Sequence, residues 1–231
     1  MVAAWFILRS MKLYNYFRSS ASFRVRIALA LKALPFEYVP VNLLAGEQRQ
    51  SDYKALAPDA LVPLLEVDGK RLSQSMAIME YLEETHPTPP LLPADALGRA
   101  QVRALAQSIA CEIHPLNNLR VLKYLVGPLG QDEMAKLTWY RHWVREGLES
   151  FERQLMALDT VREQMGWDDS LYCYGSTPTL ADCVLVPQIF NAQRFDTDLG
   201  GLPRTMAAFE ACMQLPAFQQ AQPSNCPDAV A

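Results

Sequence analysis

Residues Lys12 to Tyr16 read KLYNY, a tyrosine-rich alternation of apolar and polar positions that predicts a strand. Ser19-Ser20-Ala21-Ser22 follows, and beyond it Val25, Ala28, Leu29 and Leu31 recur at helical spacing. The serines stand where a strand turns into a helix. They are N-cap candidates, because a short hydroxyl can accept a hydrogen bond from a first-turn N–H. Phe36 to Val41 predicts a second strand and Gln50 to Leu56 a short helix. Leu64–Val67 and Arg71–Leu72 predict a hairpin around Asp68-Gly69. Ser75 to Glu84 (SMAIMEYLEE) is an amphipathic helix with Ser75 as a candidate N-cap. The order is β-α-β-α-β-β-α.

Pro87, Pro89, Pro90 and Pro93 then interrupt the chain. Prolines at this density cannot continue a helix and mark a linker. Beyond them the periodicity is helical over roughly 95–125, 131–158, 180–194 and 204–213. Thr179-Leu180-Ala181-Asp182 has the form of a capping box, with Asp182 as a cap. Trp139, Tyr140, Trp143 and Phe151 fall at helical spacing and are expected to pack the helical part. The expected organisation is an extension at 1–10, an α/β domain at 11–87, a linker at 88–94, an all-helical domain at 95–222 and a tail at 223–231. The apolar run Val2–Leu8 is far shorter than the ~20 residues that span a bilayer. It also lacks a basic start and a small-residue cleavage site.

Composition narrows the function. The net charge is −4 and no dense Lys/Arg run occurs, which argues against nucleic acid as a partner. The arginines are scattered singly, which suits small anionic ligands. The five cysteines, at 111, 173, 183, 212 and 226, include no Cys-x-x-Cys pair. The three histidines, at 86, 114 and 142, have no metal-ligand spacing. Neither a disulfide framework nor a metal site is expected, and a reducing cytoplasm is the natural compartment.

The β-α-β-α-β-β-α unit, proline linker and helical domain resemble the cytosolic glutathione transferases. The segments YFRSSASFRVRIALALK, LVPLLEVDG, QSMAIMEYLEETHPTP, IHPLNNLRVLKYL, PTLADCVLVPQ and NAQRFDTDL resemble the zeta class, which includes the maleylacetoacetate isomerases. Together these segments cover the chain from Met11 to about Asp228. The resemblance implies a thioredoxin-like first domain that binds glutathione, an all-helical second domain and a homodimer. The implied reaction is a glutathione-dependent cis–trans isomerisation of maleylacetoacetate to fumarylacetoacetate in tyrosine and phenylalanine breakdown. Maleylpyruvate isomerisation, glutathione conjugation or dehalogenation, and a non-catalytic binding module are the alternatives. One departure is Ala21, where many zeta proteins carry a cysteine. That change argues against thiol–disulfide chemistry through a protein cysteine.

By resemblance Ser19 activates the glutathione thiol, with Ser20 as the second candidate. A serine O–H can hydrogen-bond a sulfur and favour its charged form, and a helix N-terminus adds a favourable dipole. Simple capping of the helix is the competing role for both serines. The backbone of Val62, before an implied cis Pro63, pairs with the main chain of glutathione, and Gln74 with Ser75 holds its γ-glutamyl end. Gln48 is a further contact, or else a solvated loop residue. His114 and Asn118 are four apart and share a helix face, and the resemblance implies that this stretch faces glutathione and substrate. Arg120 and Arg194 are expected to bind substrate carboxylates, because arginine offers a planar donor fork. For Arg18, substrate binding and a surface ion pair stand as equals.

Overall fold

The computed structural model describes residues 10–167 and 170–229. Of the extension expected at 1–10, all but Ser10 lies outside the described residues. The chain divides into two compact units. One comprises the residues up to His86 together with those from Gln220 onward, and the other spans Pro87–Gln219.

The first unit holds a four-stranded sheet in the order β2-β1-β3-β4. β1 (Met11–Asn15) runs parallel to β2 (Glu37–Pro40) and antiparallel to β3 (Leu64–Val67), which turns at Asp68-Gly69 into β4 (Lys70–Ser73). The parallel pair needs a crossover, and α1 (Ser20–Leu31) supplies it. α1 packs against α3 (Ser75–Thr85), and α2 (Ser51–Leu56) fills the connection after β2. Leu13, Phe23, Val25, Ile27, Leu29, Leu65 and Ile78 are fully or almost fully buried and form much of this core. At the far ends of α1 and α3, the buried Lys32 ammonium donates to Glu83 at 2.8 Å and to the His86 carbonyl at 2.6 Å. The segment from Gln220 to Ala229 belongs to this unit. The sequence had ended the helical domain at 222 and left a tail beyond it.

The second unit is helical: α4 (Ala96–Gln107), α5 (His114–Asn117), α6 (Leu119–Val126), α7 (Glu133–Ala157), α8 (Asp159–Met165), α9 (Leu180–Arg194), α10 (Pro203–Met213) and α11 (Pro216–Gln220). The single helix expected over 95–125 is instead four pieces. A π-helical turn, Ser108–Ile113, separates α4 from α5, and extended backbone at Asn118 (ψ 144°) separates α5 from α6. Pro115 removes an N–H inside this stretch, and Asn118 restarts the ladder as an N-cap. The π turn packs against α7, where Gly147 lets it approach: a Cβ there would sit 2.6 Å from Ile113 Cδ1. Tyr140 and Phe151 are buried as expected, but Trp139 and Trp143 are only partly so. They line an apolar recess of about 610 Å³ along the start of α7, with Met134, Ala135, Thr138 and His142.

The α9 start agrees with the sequence reading. Asp182 is fully buried and is the hub of this corner. Its carboxylate accepts the backbone N–H groups of Thr179 at 2.7 Å and Cys173 at 2.9 Å, and the Thr179 hydroxyl at 2.9 Å.

Candidate active site

Ser19 has extended backbone (φ −72°, ψ 117°) and is the N-cap of α1, its Oγ accepting the Ser22 N–H at 3.2 Å. Capping and thiol activation do not compete here. A hydroxyl has one hydrogen to donate and two lone pairs, so acceptance from Ser22 leaves the Ser19 hydrogen available. Ser19 is half-buried, whereas Ser20, the first residue of α1, is buried. The half-exposed residue is the better placed of the two to meet a ligand.

The turn before Ser19 is tightly held. Ser19 N–H donates to the Tyr16 carbonyl at 3.0 Å. The buried Arg26 donates to Asn15 Oδ1 and the Phe17 carbonyl, each at 3.0 Å. The two arginines inside α1 are not among the candidates that the sequence motifs point to. The signal was present: two charges, Arg24 and Arg26, interrupt an otherwise apolar helix, and a buried guanidinium needs partners.

Ser75 is the first residue of α3 rather than its cap, because Gln74 occupies the N-cap position with φ 68°. A non-glycine residue in the left-handed region is strained, and such strain concentrates at functional sites. Ser75 is buried and its Oγ accepts from Arg24 Nη1 at 3.3 Å, while Gln74 is exposed. The first unit thus presents two helix starts, α1 and α3, each with a serine and each with the N-terminal dipole that favours anions.

Val62 is half-buried, leads into β3, and precedes a cis Pro63. Gln48 is half-buried in a short 3-10 turn, and its Oε1 is buried without a hydrogen-bond partner among the described residues. Arg18 is exposed, with its guanidinium 4.8 Å from the Phe17 ring centroid.

In the second unit, Asn118 links two of the other candidates. Its Oδ1 accepts the Arg120 N–H at 3.1 Å, and its Nδ2 stands 3.3 Å from His114 Nε2. With the amide so oriented, Nε2 is the acceptor and the ring proton lies on Nδ1. Arg120 is exposed in the first turn of α6. Arg194 is exposed in the last turn of α9, donating to Asn191 Oδ1 at 3.0 Å, with its guanidinium 5.2 Å from the Phe195 ring centroid. The two arginines are therefore on separate helices. The recess on α7 holds none of these candidates and is lined from one helix, so it gathers no set of converging polar groups.

Comparison with known proteins bears on these helix starts. Residues 9–84 match the glutathione S-transferase N-terminal domain. A maleylpyruvate isomerase from Ralstonia sp. is 48% identical over 219 residues, covering 95% of this chain and 100% of the relative. The chain belongs to the zeta-class glutathione transferases, in the branch of the maleylacetoacetate and maleylpyruvate isomerases. Among solved structures, holo maleylpyruvate isomerase, a bacterial zeta-class transferase, superposes with a TM-score of 0.89 at 47% identity, covering 95% of this chain and 100% of that one. Maleylacetoacetate isomerase from Anaeromyxobacter dehalogenans, solved with glutathione in its active site, superposes with a TM-score of 0.82 at 42% identity, covering 96% of this chain and 99% of that one. As a transferase of this class the chain carries the thioredoxin-like unit followed by the helical one.

Among the described residues, no three histidine, cysteine or acidic side chains gather to hold a metal ion. No described helix is long and apolar enough to cross a membrane. Cys173, Cys183, Cys212 and Cys226 are buried, and burial pushes the Cys173 and Cys212 thiols up.

Proposed function

We propose that the protein is a glutathione-dependent cis–trans isomerase that converts maleylacetoacetate to fumarylacetoacetate. The observation that carries this reading is Ser19: it caps α1 through an oxygen lone pair and keeps its hydrogen for a ligand at the helix start. The buried, unpartnered Gln48 Oε1 and the strained Gln74 are the further features that fit a peptide-like ligand with polar groups to satisfy.

Bound glutathione supplies a thiolate that adds to the conjugated cis double bond, permits rotation about the resulting single bond, and departs to leave the trans product. The protein supplies the rest. Ser19 O–H donates to the sulfur and, with the α1 dipole, favours its ionised form. Ser20 is the reserve donor. Gln74, Ser75 and the α3 N-terminus hold the γ-glutamyl carboxylate. The Val62 main chain pairs with an extended peptide as an added strand does. Gln48 adds a polar contact in the first unit, and His114 and Asn118 are the candidate glutathione contacts of the second. Arg120 and Arg194, with Arg18 as a third candidate, bind the substrate carboxylates and stabilise charge that develops on its carbonyl oxygen. Ala21 supplies no thiol, so the sulfur is that of glutathione.

Purified protein is assayed with maleylacetoacetate, with and without glutathione. Turnover that requires glutathione and does not consume it is expected. Equal activity without glutathione overturns the mechanism. The Ralstonia relative, at 48% identity, favours a second reading in which maleylpyruvate is the substrate. The ratio of kcat/KM for the two compounds separates the readings. The setting for the first is tyrosine and phenylalanine catabolism in the cytoplasm. We also propose a homodimer, and a monomer in sedimentation at micromolar concentration would exclude it.

A further inference from the structure

The C-terminal segment returns to the loop that carries Ser19. Asp228 Oδ2 accepts the backbone N–H of Phe17 at 3.2 Å, and its Oδ1 accepts the Tyr38 hydroxyl in a short hydrogen bond. Arg26 holds the same loop by a main-chain carbonyl. It donates to the Phe17 carbonyl at 3.0 Å and Asn15 Oδ1 at 3.0 Å, while its Nε donates to the Ala221 carbonyl at 3.1 Å. Both main-chain polar groups of Phe17, two residues before Ser19, are therefore held by charged side chains, the carbonyl by Arg26 of α1 and the N–H by Asp228, 211 residues away. Between the two ties, Cys226 packs with Tyr16 and Phe17 in one buried cluster, against which Tyr38 and Ala229 also rest. The Ser19 N–H closes the turn on the Tyr16 carbonyl at 3.0 Å.

We propose that Asp228 is a positioning residue for the thiol-activating serine, with Arg26 as its counterpart, and that the segment 220–229 is a working part of the catalytic loop. The inference rests on the glutathione reading of Ser19. The physical argument concerns direction. A hydroxyl favours a thiolate only when its hydrogen points at the sulfur, and the aim of Ser19 follows from the conformation of residues 16–19. A loop of four residues next to an open ligand site has few local contacts of its own. Here the restraint comes from a carboxylate on the Phe17 N–H, a guanidinium on its carbonyl, and an apolar cluster beneath. Charge-assisted hydrogen bonds of this kind are stronger than neutral ones and more directional. Asp228 acts on the loop through Phe17 and Tyr38 and is assigned no group of the proposed ligand, so its effect is expected in thiol ionisation rather than in ligand affinity.

The test uses the full chain and the variants Asp228→Asn and Asp228→Glu. An asparagine at 228 can turn its Oδ1 to the Phe17 N–H and its Nδ2 to the Tyr38 oxygen, but both bonds are then neutral and weaker; a glutamate keeps the charge and both acceptors. Thiolate absorbance of bound glutathione is titrated against pH, and binding of S-methylglutathione, which has no thiol to ionise, is measured by calorimetry. In Asp228→Asn the thiolate titration is expected to move up by about one pH unit, with turnover at neutral pH falling by up to about tenfold and recovering in alkali. Affinity for S-methylglutathione is expected to stay at the parent value, and Asp228→Glu is expected to restore most of the titration. An unmoved titration in Asp228→Asn overturns the proposal. So does a parallel loss of turnover, S-methylglutathione affinity and melting temperature, because a general loosening of the fold would produce it. A parent protein that binds no glutathione overturns the reading of Ser19 itself, and this inference with it.

Discussion

Arg24 Nη1 donates to Ser75 Oγ at 3.3 Å, joining the second turn of α1 to the first residue of α3 inside the first unit. Both residues are buried. The arginine occupies a lone pair of the hydroxyl, and the hydroxyl hydrogen remains for an anion at the α3 start.

Under the proposed function, anchoring at Ser75 and activation at Ser19 are separate tasks, and a pair of variants tests the separation. Losing one hydrogen bond to a charged ligand group costs about 1.5–3 kcal/mol, or roughly ten- to a hundredfold in Kd. Ser75→Ala is expected to lose that much glutathione affinity by calorimetry, and Ser19→Ala distinctly less. Parent-like affinity in both variants would remove the assigned γ-glutamyl site.

Ser19→Ala is expected to act on ionisation. Loss of its hydrogen bond to a charged sulfur costs the thiolate about 1.5–3 kcal/mol, a rise of about one to two pKa units. Turnover at neutral pH should fall and partly return in alkali, with the thiolate absorbance of bound glutathione as the readout. The lost cap also removes about 0.5–2 kcal/mol of stability, so melting is followed in parallel. An unchanged titration would move the role to Ser20 or to a tyrosine such as Tyr16.

Asp182 is predicted to be a structural carboxylate with a measurable pH signature. Asp182→Ala leaves the buried Thr179 and Cys173 N–H groups without their acceptor, at about 1–3 kcal/mol each, so a stability loss of several kcal/mol is expected in denaturant titration. Burial raises the folded-state pKa of Asp182, against the lowering effect of its hydrogen bonds from Cys173 and Thr179. A raised acid binds its proton more tightly when folded, so its contribution is greatest below the unfolded pKa of about 3.9. It declines as pH rises through the folded value. The stability advantage of the parent over Asp182→Asn should therefore shrink as pH rises across that window. A constant gap would contradict the assignment.

Gly147→Ala tests the approach of the π turn to α7. Alanine improves helix propensity by up to about 1 kcal/mol, but the new methyl meets the Ile113 side chain, and overpacking costs about 1–3 kcal/mol. A net loss of roughly 1 kcal/mol is expected, seen as a fall of about 2–4 °C in Tm. A raised Tm would show that the turn yields freely. Because Ile113 adjoins His114, weaker glutathione binding is expected alongside.

The sequence by itself determined the element order, the proline break between an α/β half and a helical half, and the local caps. Those features arise from neighbours a few residues apart: alternation in KLYNY, Asp-Gly at a hairpin, and Thr179 with Asp182 three residues on. The Ser19 cap was legible for the same reason, since it is made within one helical turn. Tertiary structure alone decided the rest. Ser75 lost the cap position because Gln74 takes a left-handed backbone, which residue type did not announce. Pro115 marked one local break in the helix expected over 95–125, but the π turn before it depends on nesting against Gly147, 34 residues beyond Ile113. Arg24, Arg26 and Asp228 acquired their parts through contacts spanning 51, 195 and 211 residues. Periodicity reports which face of an element is buried. Which distant carbonyl or hydroxyl will satisfy a buried charge is settled only when the chain closes on itself.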